Sequence, residues 1–172
     1  MKHILLIHVL LLIRIPSAIP AQSQASSFDT AIDGIIFGGL PFKGLVTLAD
    51  FQQRLGKPVS VTTKQVENPH NSDKDAIHKL VYRGLVLDLY EITRDHNIAI
   101  LDVEVSDNRW RLPAKIRIGS TREEVSRLLG KATKELNSEW EYICSDCVYE
   151  NTITFKFSGE KVVTMKWKFA LD

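Results

Sequence analysis

Thr47-Leu-Ala-Asp50-Phe51-Gln-Gln-Arg-Leu55-Gly56-Lys57 returns 74 residues later as Thr121-Arg-Glu-Glu124-Val125-Ser-Arg-Leu-Leu129-Gly130-Lys131. Each copy opens on a Thr with an acid three residues on. This is the capping-box pattern, in which hydroxyl and carboxylate satisfy each other's backbone amides at a helix start. Each continues with apolar residues four apart, Phe51/Leu55 and Val125/Leu129, which form one stripe on a helix. Each stops at Leu-Gly-Lys, where glycine accepts the left-handed conformation that ends a helix. Both copies therefore predict a short helix of about two to three turns.

After each helix the period changes from helical to alternating. The first copy gives Ser60–Val66, Ile77–Tyr82, Leu85–Ile92 and Asn97–Val105; the second gives Ala132–Leu136, Trp140–Cys144, Thr152–Phe157 and Val162–Phe169. These runs are rich in Val, Ile, Thr and aromatics and are separated by turn-like stretches such as Ser158-Gly159-Glu160. The expected class is α+β: two tandem helix-plus-antiparallel-meander repeats, residues 26–108 and 109–172, with the helices packed on one face of a continuous or hinged sheet. The join falls near Ser106–Pro113.

Helix, meander, short basic joint and then Ile118-Gly119-Ser-Thr-Arg-Glu-Glu124-Val125 with Leu129-Gly130 resembles the tandem repeats of β-lactamase-inhibitor-like proteins. The same unit is similar to the small lipoproteins of outer-membrane assembly. The likeness covers roughly residues 35–172. It implies an exported, non-enzymatic protein that grips another protein with the open face of its sheet. The lipid-anchoring cysteine of the assembly lipoproteins is absent from this sequence, and the identity of the partner does not carry over.

The amino terminus agrees with export. Met1-Lys2-His3 precedes the apolar run Ile4–Ile13, and small residues lead to Ala21-Gln-Ser23-Gln-Ala25. That is the layout of a secretory signal peptide over residues 1–25, cleaved after Ala25 or, less well, after Ala21. The run is shorter than the roughly 20 apolar residues needed to cross a bilayer. No other long apolar run follows, so a periplasmic or secreted protein that is not membrane-embedded is expected. With 22 Lys+Arg against 21 Asp+Glu there is no basic footprint for a phosphate backbone, which sets nucleic acid aside as a partner.

Chemistry is sparse. Cys144-Ser-Asp146-Cys147 holds the only two cysteines, and in an oxidising compartment they are expected to close a disulfide. A redox role is disfavoured by a strand setting and by Asp146 between the thiols. His70, Asp73, Asp75 and His78 are metal-ligand types within nine residues, yet the segment has the composition of a polar loop, with His78 at a strand edge. No metal or cofactor is expected. Gly38-Gly39-Leu-Pro41 lacks the lysine and spacing of a phosphate loop, and no nucleophile–base–acid motif surrounds any serine. No catalytic residue is assigned.

Strand alternation sorts the rest. Leu85/Leu87/Leu89, Leu101/Val103/Val105, Ile153/Phe155/Phe157 and Met165/Trp167/Phe169 form the core set. The opposite face then carries Asp88, Tyr90, Asp102 and Glu104 in the first half and Lys156, Lys166 and Lys168 in the second. The expectation is a bipolar face, acidic in one half and basic in the other, with Glu139 and Glu141 neutralising some of the lysines. These residues, with Trp110 beside Arg111 in the joint, are the candidate contacts for another exported protein, an enzyme or toxin. The expected function is that of an inhibitor or immunity-type protein acting by occlusion. The alternative is an envelope assembly or scaffold component without a lipid anchor.

Overall fold

A computed structural model describes residues 45–110, 115–144, 147 and 149–170. The expected signal peptide, residues 26–44, Arg111 and Pro113 lie outside the described residues. In chain order the elements are α1 (Leu48–Leu55), β1 (Ser60–Glu67), β2 (Lys74–Tyr82), β3 (Leu85–Ile92), β4 (Asn97–Val105), α2 (Arg122–Leu129), β5 (Lys134–Leu136), β6 (Glu139–Ile143), β7 (Thr152–Ser158) and β8 (Lys161–Lys168). Both capping boxes form. Asp50 N donates to Thr47 Oγ1 (3.2 Å) while Thr47 N donates to Asp50 Oδ2 (2.9 Å). Thr121 and Glu124 repeat the exchange at 3.1 and 2.8 Å. Gly56 and Gly130 end the helices at φ of 82° and 74°.

The expected class needs correction. All eight strands form one antiparallel sheet in the order β1-β2-β3-β4-β8-β7-β6-β5, accompanied among the described residues by only two eight-residue helices. It is not an α+β arrangement of two helix-plus-meander repeats. The helices are too short to form a layer: α1 buries Phe51 alone, and α2 buries Val125 and Leu129. The halves are also unequal, since β1 has eight residues and β5 three. They merge because β4 and β8 pair directly, Val103 opposite Trp167 and Val105 opposite Met165. Both strands present apolar residues to the same side, so joining them buries one continuous core that neither half closes alone.

That core covers one face of the sheet, from Leu80 and Leu87 through Val103 and Trp167 to Phe155 and Tyr142. Edge-to-face rings extend it, Tyr142 on Phe155 at 5.8 Å and Trp140 on Phe157 at 5.0 Å. One member of the expected core set is displaced. The β3–β4 register shifts after Asp88↔Asp102 to Leu89↔Ile100, so Leu101 is the extra residue of a bulge. Ile98 and Ile100 pack against the core in its stead. A second bulge, between Lys156↔Thr164 and Phe157↔Val162, skips Val163.

Candidate functional site

The face opposite the core is crossed by two rungs of side chains. One runs Lys79, Asp88, Asp102, Lys168 across β2, β3, β4 and β8. The next runs Val86, Glu104, Lys166, Thr154, Glu141, Lys134 across β3, β4, β8, β7, β6 and β5. The structure thus brings Asp88, Asp102, Glu104, Lys166 and Lys168 together at the centre of the sheet, with Lys156 one rung further along β7.

The acidic and basic residues of the expected bipolar face lie on this side of the sheet, on β3/β4 and β7/β8 respectively. Because β4 adjoins β8, the acidic stripe lies against the basic one, and Glu139 and Glu141 on β6 set a second acidic stripe beyond it. Ion pairs bridge the stripes: Lys79–Asp88 at 3.4 Å, Lys166–Asp102 at 3.9 Å, Lys156–Glu139 at 3.8 Å and Lys134–Glu141 at 2.7 Å. The last of these raises the Lys134 ammonium above its usual pKa. At this exposure such pairs contribute little to stability, so their arrangement matters more as a pattern that orients a partner. One cross-strand pair in the first rung is acid against acid. Asp88 and Asp102 stand directly opposite as like charges, and Asp102 Oδ1 is buried with no hydrogen-bond donor among the described residues.

Tyr90 is half-buried at the end of this face, and its hydroxyl is already engaged. It donates to Asp75 Oδ2 at 2.5 Å, and Asn68 Nδ2 (2.7 Å) and Thr93 N (3.0 Å) complete the shell around that buried carboxylate. The Tyr90 bond is the main reason the Asp75 carboxyl lies below its ordinary range despite burial. Burial first, and then Asp75, pushes the Tyr90 phenol up to about 12. Trp110 lies elsewhere, packed edge-on against the core residue Tyr82 at 5.7 Å with Nε1 donating to Arg83 O at 2.8 Å. It belongs to the core side of the joint and does not join the striped face. Cys144 and Cys147 form a disulfide with Cα atoms 5.5 Å apart.

A second polar chain, which no local sequence motif announces, lies on the core side of the same sheet end. Thr63 Oγ1 meets His78 Nδ1 at 2.9 Å, His78 Nε2 meets Glu91 Oε2 at 2.5 Å, and Glu91 Oε1 meets His96 Nδ1 at 2.7 Å. His78 is therefore buried in mid-strand, not at a strand edge. The two histidines, His96 foremost, hold the Glu91 carboxyl below its usual value against the opposing effect of burial. The signal that locates this chain is β-pairing: His78 sits opposite Leu89 on the face that also carries Glu91. Asp75 points to the other side of β2, so the His70–His78 segment does not converge. Among the described residues no three His, Cys, Asp or Glu side chains are placed to hold a metal ion.

No protein-family model matches the chain, and no curated protein matches it. The crystal structure of the uncharacterized protein yfeY from Escherichia coli is similar, with 16% identity over 79% of this chain and 94% of that chain and a TM-score of 0.36, too loose a likeness to carry an argument. The disulfide is consistent with an exported protein, and among the described residues no helix is long and apolar enough to cross a membrane.

Proposed function

We propose that this chain is an exported protein-binding module of the inhibitor or immunity type, which occludes a partner with the striped face of its sheet and carries out no catalysis itself. The observation that supports the reading is the Asp88–Asp102 rung at the centre of that face. Lys79 and Lys166 each bridge one of these carboxylates, and a basic side chain of a partner placed over the pair meets two acids at once. Lys166 and Lys168 alongside favour an acidic neighbour next to that base. The size is adequate. Eight strands spaced about 4.8 Å apart, with a mean length of roughly 25 Å, present on the order of 800 Å2, one partner's share of a standard interface. The partner is another exported protein, an enzyme or toxin, and the amino-terminal segment is read as the signal that sends the chain to the periplasm or outside the cell. The test is affinity capture from an envelope extract with the wild-type chain and a Lys166→Glu/Lys168→Glu variant side by side. One soluble protein retained stoichiometrically by the wild type and lost from the variant supports occlusion. Recovery of outer-membrane assembly proteins moves the reading to an envelope scaffold.

A further inference from the structure

On the core side of the joint, a cleft of about 650 Å3 is lined by Trp110 after β4, by the segment that leads into α2, and by Lys161 and Met165 of β8. Its charged residues are Lys115, Arg117, Lys161 and Glu124. The Glu124 carboxylate is committed to the capping box, accepting from Thr121 N at 2.8 Å. The three cations have no ion-pair or hydrogen-bond partner for their side chains among the described residues. On the striped face Lys79, Lys134, Lys156 and Lys166 each have a carboxylate in reach, while Lys168 has no ion pair among the described residues. The cleft therefore gathers three cations and one carboxylate, a local excess of positive charge in a chain of nearly balanced charge.

The backbone that presents Arg117 and Lys161 is tied down. Gly119 N donates to Val162 O at 2.7 Å, Val162 N to Ser120 O at 2.8 Å and Ser120 N to Arg117 O at 2.9 Å. A β-bridge joins Thr121 to Lys161, and Trp110 is held by Arg83 O and the Tyr82 ring. A site fixed in this way loses little freedom when a ligand arrives. Because Thr121 and Glu124 already satisfy amides of the α2 first turn, attraction for an anion comes from the side chains and not from the helix terminus.

We propose that this cleft binds a small molecule carrying two or more phosphate or carboxylate groups. Its volume is that of a small-molecule site, and the planar fork of Arg117 matches two oxygens of either anion while the two lysines act as point charges. The site is separate from the striped face, so it stands or falls independently of the partner proposed there.

Isothermal titration of the full chain with inorganic pyrophosphate and with citrate at low ionic strength tests it. Saturable one-to-one binding of at least one anion is expected, and the preference between the two assigns phosphate or carboxylate. Lys115→Gln, Arg117→Gln and Lys161→Gln are each expected to weaken binding about tenfold with an unchanged melting temperature, while Lys134→Gln at the far sheet edge leaves it unaltered. No saturable heat with either anion at millimolar concentration overturns the proposal. So does an equal loss in Lys134→Gln, which marks a diffuse surface attraction.

Discussion

Trp167→Ala is the substitution that most severely tests which face of the sheet is inside. Trp167 is fully buried on β8, opposite Val103 of β4 on one side and Ile153 of β7 on the other, at the seam where the halves merge. An indole buries about 200 Å2, and at about 25 cal/mol per Å2 its removal from water contributes on the order of 5 kcal/mol as an upper bound. Alanine recovers a fraction of this, and the cavity left between two central strands adds a cost of its own. A loss of about 3–5 kcal/mol follows. In urea, with a slope of about 1.5 kcal/mol per M, the midpoint falls by about 2–3 M. Equilibrium unfolding followed by circular dichroism reads the shift directly. Lys166→Ala, one residue away on the opposite face, is expected to stay within about 0.5 kcal/mol of wild type. A Trp167→Ala loss below about 1 kcal/mol, or a larger loss in Lys166→Ala, refutes the face assignment.

Two further outcomes are expected. The Glu91 carboxyl titrates below its ordinary 4.5 in the fold, so its stabilising contribution is present above that value and disappears as pH falls through the folded pKa. Glu91→Gln is therefore less stable than wild type at neutral pH, and the urea midpoints of the two converge at acid pH; a gap that does not change with pH contradicts the Thr63–His78–Glu91–His96 chain. Gly84 in the β2–β3 turn has φ of 76°, and an added Cβ would collide with Asp107 Cβ. Gly84→Ala is expected to cost about 2 kcal/mol or more in thermal unfolding, and a neutral result shows that the turn relaxes freely.

The locally encoded parts of this structure were legible in the sequence. Thr47/Asp50 and Thr121/Glu124 announce two helix starts because capping is a matter of residues three apart, and alternation in Leu85–Leu89 or Ile153–Phe157 announces a buried strand face. The class was not legible. Whether two meanders stay separate or fuse depends on β4 meeting β8, a pairing between residues some 60 positions apart with no local signature. The same gap hid where the acidic and basic halves of the face meet, since Asp102 and Lys168 become neighbours only through that pairing. Leu101 was misassigned because a bulge shifts the alternation by one, and nothing in Ile98–Val103 marks the extra residue. His78, Glu91 and His96 are scattered in sequence and meet only across β2, β3 and the turn after β3.

The striped face is the surface proposed to meet a partner. The measurement that tests it most directly is the affinity, by titration calorimetry, of the captured partner for the wild-type chain and for Lys166→Glu/Lys168→Glu at matched melting temperature. The prediction is a loss of about tenfold or more for the charge-reversed chain. Equal affinities for the two chains would mean that the partner binds elsewhere and would contradict the proposed function.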